Sequence, residues 1–91
     1  MSTKEKVKKQ IDEMDDQIGV WEAKIESAKA ETKAEYKEKM AALKAKRNEV
    51  KTKYDELADA TEEKWEEAKD VFSSASESFK EKFNKLKSMF N

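Results

Sequence analysis

The chain has 91 residues, 20 of them basic and 21 acidic, with one glycine and no proline, so it has room for one domain at most. The near-neutral total argues against a general polyanion binder, which needs a clear basic excess. The absence of cysteine removes disulfide and thiolate chemistry, and the absence of histidine removes the usual general base and the commonest metal ligand.

The first residues, MSTKEKVKKQ, carry no apolar signal segment. The longest apolar run, MAAL at 40–43, is far short of the roughly 20 residues a spanning helix needs. A soluble, cytoplasmic protein is the expectation. Ser2 followed by Glu5 fits a capping box and starts a helix. From there Val7, Ile11, Met14, Ile18, Trp21, Ile25 and Ala28 step by four and three without a break, the spacing of a coiled-coil stripe. Gly19 lies off that stripe and costs about 1 kcal/mol against alanine in a helix interior. A tolerated glycine on an exposed flank is the reading favoured for it.

The stripe weakens at Thr32 and resumes at Tyr36, Met40, Leu43, Val50, Tyr54 and Leu57, with Arg47 in the place between Leu43 and Val50. No glycine or proline after Gly19 marks a stop, and the pattern predicts one long helix over 2–58. Its first interruption is expected at LADAT, 57–61, where a four-residue step in the stripe meets small residues and a second capping box, Asp59 with Glu62. FSSASES, 72–78, is the second candidate, with Ser74 and Glu77.

A C-terminal amphipathic helix over 59–91 carries Trp65, Phe72, Phe79, Phe83, Leu86 and Phe90, flanked by Ala68 and Ala75. At about 100° per residue the five aromatics fall within roughly 40° of arc. Burying each is worth roughly 1.5–3 kcal/mol, so the face must be covered. A hairpin turning near residue 59 sets the acidic 62–70 beside 48–56, and the basic 80–87 beside Glu31, Glu35 and Glu38. Residues 3–30 then keep a stripe with nothing in the chain to cover it, so an oligomer is expected. DEMDD, 12–16, is acidic and 44–53 is basic, which favours two antiparallel long helices crossing near residue 31.

DEMDD could also be read as a cation site, but a calcium loop needs a non-helical turn with a central glycine, and a solvated helix face is the better reading. LKAKRNEVKTK, 43–53, looks basic, but Glu49 and the neutral total disfavour nucleic acid. The hydroxyls of Tyr36 and Tyr54 are expected to reach water. No nucleophile–base pair, glycine-rich phosphate loop or cofactor fingerprint occurs, so no catalysis, cofactor, metal or small-molecule substrate is expected.

The stretch QIDEMDDQIGVWEAKIESAKAETKAEYKEKMAALKAKRNEVKTKYDEL, followed by the Trp65-bearing tail, resembles a family of small bacterial coiled-coil proteins called stress-response proteins after a cyanobacterial founder. The resemblance covers nearly the whole chain and implies a stress-related role, with no catalytic residues to carry over. The tail is also somewhat similar to exchangeable apolipoprotein helices, from which its acidic half, 59–77, departs.

The sequence thus predicts an all-α, oligomeric coiled-coil unit over 1–91, built as a long helix plus an amphipathic helix. It is expected to act by self-association, antiparallel by preference, or by binding another helical protein. The interaction face is Val7, Ile11, Met14, Ile18, Trp21, Ile25, Tyr36, Met40, Leu43, Val50, Tyr54, Leu57, Trp65, Phe72, Phe79, Phe83, Leu86 and Phe90. The runner-up is peripheral binding to a membrane surface, with Lys80, Lys82, Lys85 and Lys87 flanking the aromatic face.

Overall fold

A computed structural model describes residues 2–90, apart from the Phe90 side chain. Ser2 caps the first helix as the sequence predicts: its backbone is extended and its Oγ accepts the Glu5 N–H at 3.2 Å. Three helices follow in order, α1 (Thr3–Glu26), α2 (Ala30–Glu56) and α3 (Glu62–Phe90). Thr3 meets Glu66, Gln10 meets Ser76 and Trp21 meets Phe83, so α3 runs parallel to α1. Asp15 meets Arg47 and Tyr54 meets Trp65, so α2 runs antiparallel to both. The result is an all-helical bundle measuring 49 × 19 × 17 Å.

The single helix predicted over 2–58 is therefore corrected: it breaks at 27–29 and folds back on itself. The break uses neither glycine nor proline. Ser27 stays close to helical at φ −86°, ψ −7°, and its N–H still reaches Ile25 O and Lys24 O. Lys29 swings to φ −64°, ψ 144° and redirects the chain, and its carbonyl accepts from Thr32 and Lys33. Magnitudes explain the choice. Folding back disrupts a few helical hydrogen bonds, each worth about 0.5–1.5 kcal/mol net. In return it helps bury Val7, Ile11, Met14, Ile18 and Ile25, each worth roughly 1.5–3 kcal/mol.

The second turn falls at 57–61, where the sequence places it. The cap differs: Lys64 N–H donates to Thr61 Oγ1 at 3.4 Å, so Thr61 takes the role assigned to Asp59. FSSASES does not interrupt the chain and forms the middle of α3.

The three stripes close on one core. Val7, Ile11, Met14, Ile18 and Ile25 come from α1; Tyr36, Met40, Leu43 and Val50 from α2; Trp65, Phe72, Phe79, Phe83 and Leu86 from α3. The premise for an obligatory partner, an uncovered stripe over 3–30, fails because α2 and α3 of the same chain cover it. Gly19 lies on the exposed face of α1, and a Cβ built there meets no atom within 4 Å.

Two substitutions check this packing. Leu43 is fully enclosed, so Leu43→Ala is expected to lower unfolding stability by about 2–5 kcal/mol, read from urea melts. Gly19→Ala fills open space on a helix and is expected to raise stability by about 0.5–1 kcal/mol in the same melts.

Candidate functional site

Fourteen of the predicted face residues are buried in the core of this chain, and Trp21, Tyr54 and Leu57 are partly buried against it. The Phe90 side chain lies outside the described residues. In the closed bundle these side chains face one another, and the grooves that reach them lie at the joints between helices. The three joints are held by different chemistry.

The α1–α2 joint is ionic. Arg47, which occupies an apolar place in the α2 stripe, donates from Nη1 to Asp15 Oδ1 at 2.8 Å, with Lys51 3.8 Å from the other Asp15 oxygen. Burial of an arginine stem beneath a paired guanidinium is how such a residue fits a packed face. Lys44 pairs with Glu22, and Lys33 approaches Glu26 at 3.1 Å. The acidic 12–16 segment thus does meet the basic 44–53 segment, but within one chain. Asp15 of DEMDD is occupied by these cations. Among the described residues no group of three or more His, Cys, Asp or Glu side chains could hold a metal ion.

The α2–α3 joint is aromatic and uncharged. Tyr54 packs edge-on against Trp65, with ring centres 5.4 Å apart, and Trp65 stacks on Phe72. Tyr36 is buried, and its hydroxyl donates to the Met89 carbonyl at 2.9 Å instead of reaching water. The ion pairs foreseen between 62–70 and 48–56, and between 80–87 and 31–38, are not formed among the described residues. Of their basic members, Lys53 turns instead to Glu56 along α2 itself.

The α1–α3 joint is the most open of the three, the one where the helix backbones approach each other least. Trp21 meets Phe83 edge-to-face at 5.7 Å and 89°. Polar contacts hold the rest: Ser76 Oγ donates to Gln10 Oε1 at 3.1 Å and Thr3 bonds Glu66, while Lys4 Nζ donates to the carbonyl of Ala58 in the adjoining 57–61 turn at 2.7 Å. Two open grooves lie in tandem here. One of about 360 Å³ runs past Val7, Trp65 and Phe72; the next, about 340 Å³, runs past Met14, Phe79 and Phe83. A larger, shallower groove of about 540 Å³ lies between α2 and α3 beside the exposed Val71. Ser76 and Gln10 were not foreseen, because a buried serine inside a serine run carries no distinguishing pattern. Trp65 is 2% exposed and its indole N–H meets no acceptor among the described residues, a weak point beside the first groove.

No protein-family model, curated protein or solved structure matches the chain. Among the described residues no helix is long and apolar enough to cross a membrane.

At the end of the α1–α2 joint, the hydrogen-bonding Lys33 ammonium, helped by its charge and that of Lys37, holds the Glu26 carboxyl below the usual carboxylate range. A depressed folded-state value stabilises the fold above the unfolded value and loses that contribution as pH falls through the folded one. Glu26→Gln is therefore expected to be less stable than the unsubstituted chain at pH 7. The two urea midpoints should converge below the depressed titration of Glu26. A gap that persists into strong acid would contradict this pairing.

Proposed function

We propose that this chain is a non-enzymatic helical protein that works by binding helices, those of a partner or of its own copies, at the α1–α3 joint. The observation that carries the reading is that this joint combines the least extensive close approach of helix backbones, polar closing contacts and two grooves floored by aromatic and aliphatic side chains. An amphipathic helix laid into such a groove anchors through side chains three and four residues apart. Opening the joint offers a further helix the same cover that α1 and α3 give each other, and adding it makes a four-helix arrangement with ordinary packing. The stress-related role implied by the family resemblance fits a protein whose binding face is sheltered until needed.

A lipid-surface role is the second reading. It is favoured by the exposed Lys80, Lys82, Lys85 and Lys87 beside the aromatic face of α3. It is weakened by the acidic residues of 59–77 on the same helix, which anionic lipid repels.

A locked bundle separates these. Gln10→Cys with Ser76→Cys, joined by a short bis-maleimide, holds α1 to α3. A fluorescent peptide of residues 62–90 serves as the test helix, and anisotropy reports its uptake. Locking is expected to weaken uptake about tenfold or more, because it removes the competent open population. Equal uptake by locked and unlocked chains overturns the joint as the site. Flotation with phosphatidylcholine or phosphatidylglycerol vesicles should leave the unlocked chain in the soluble fraction. Vesicle capture without peptide uptake moves the assignment to lipid.

A further inference from the structure

We propose that the turn at 27–29 is a hinge through which two copies of the chain exchange α1, so that residues 3–56 run as one helix in an antiparallel dimer. The inference rests on the helix-binding reading above and names a second copy as the partner.

The turn has none of the residues that hold a chain in a reversal. Ser27, Ala28 and Lys29 all tolerate helix, and short hinge loops between packed elements invite exchange. Ser27 is already near-helical, and Lys29 keeps a helical φ of −64° while its ψ of 144° departs from the helix. Lys29 makes no side-chain cap to α2. The first N–H groups of α2 and the last carbonyls of α1 gain helical partners when the two segments join.

The stripe also continues across the joint. Ile25, Ala28, Thr32 and Tyr36 follow steps of three and four, so the joined helix keeps one apolar face. The ionic contacts are then re-formed between copies. With a twofold axis near residue 31, Asp15 of each copy faces Arg47 of the other, and Glu22 comes within a helical turn of Lys44. Each contact is made twice, as an isologous interface requires. The small side chain of Ala28, on that stripe, lets the helices pass closely at the axis.

The turn at 57–61 is held differently and stays closed. Thr61 caps α3, and Lys4 Nζ from α1 bonds the Ala58 carbonyl inside the turn.

Light scattering across a concentration series, with spin labels at Asp16→Cys and Asn48→Cys on a diluted labelled chain, tests the exchange. In the bundle the labels sit on adjacent helices, whose axes lie about 8–10 Å apart. In the joined helix they are separated by about 48 Å at 1.5 Å per residue. Ser27→Ala with Lys29→Ala favours helix at the hinge and is expected to tighten the dimer about tenfold, counting both copies. Inserting Gly-Asn-Gly after Ala28 should leave a helical chain of single-copy mass. A dimer whose labels stay close overturns the exchange, and so does a folded alanine variant that keeps single-copy mass at every concentration. If that monomeric chain still takes up the 62–90 peptide, the exchange alone falls; if a long-distance dimer forms without peptide uptake, only the α1–α3 groove reading falls.

Discussion

Each of these helices has one narrow apolar stripe, and one stripe cannot be sheltered by a single neighbour. Two amphipathic helices bury only the line where they touch, and the edges of both stripes stay wet. The third helix closes that gap. In this chain α3 brings the bulk. Trp65 stacks on Phe72 and Phe79 on Phe83, and the four rings are 1–8% exposed. The other two helices supply mainly branched and linear side chains, such as Ile11, Ile18, Met40 and Leu43. Large rings on one wall facing smaller aliphatic groups on two others fill a core densely without voids. The aromatics cluster in the last third of the sequence because one wall of the core is made from that third.

Charge then selects how the walls are arranged. Exposed ion pairs contribute little individually, typically under about 1 kcal/mol. Their signs still distinguish registers of nearly equal apolar burial. Between α1 and α2 the pairs Asp15–Arg47, Glu22–Lys44 and Glu26–Lys33 run from the middle of α1 to the turn. Between α2 and α3 that function passes to Tyr54 against Trp65 at one end and Tyr36 on the Met89 carbonyl at the other. The α1–α3 joint has no ion pair among the described residues, and is closed by Trp21 against Phe83 and by the Ser76–Gln10 and Thr3–Glu66 bonds.

Much of this was legible from the residues. The stripe positions read from Val7 to Leu86 are the core, the Ser2 cap is where its pattern put it, and the turn near 59 announced itself through small residues and a capping signal. The break at 27–29 was not legible, since Ser27-Ala28-Lys29 is locally as good a helix as its surroundings. Its only trace was an extra-residue step in the stripe between Ala28 and Tyr36. A similar step between Ala75 and Phe83 left α3 unbroken, so the step alone does not decide. What decides is the whole chain: α1 has a stripe to bury and α2 and α3 have a place for it. The charge match between 12–16 and 44–53, expected between two antiparallel chains, is made within one chain between α1 and α2. Gln10 and Ser76 gave no signal, because their contact joins residues 66 apart in sequence.

That intramolecular pairing is physically informative. An antiparallel contact between two segments of one chain, with a helix-compatible turn between them, has nearly the same side-chain pairs as a contact between two chains with no turn. The apolar stripe, the Asp15–Arg47 pair and the aromatic wall of α3 are satisfied either way. The two arrangements differ in the local backbone at 27–29 and in the entropy of association. The first favours the joined helix by the hydrogen bonds recovered at two helix ends. The second favours the single chain and weakens with concentration. A sequence that placed glycine or proline at residue 28 would have closed off one of these outcomes. This one has alanine there, which either backbone accepts.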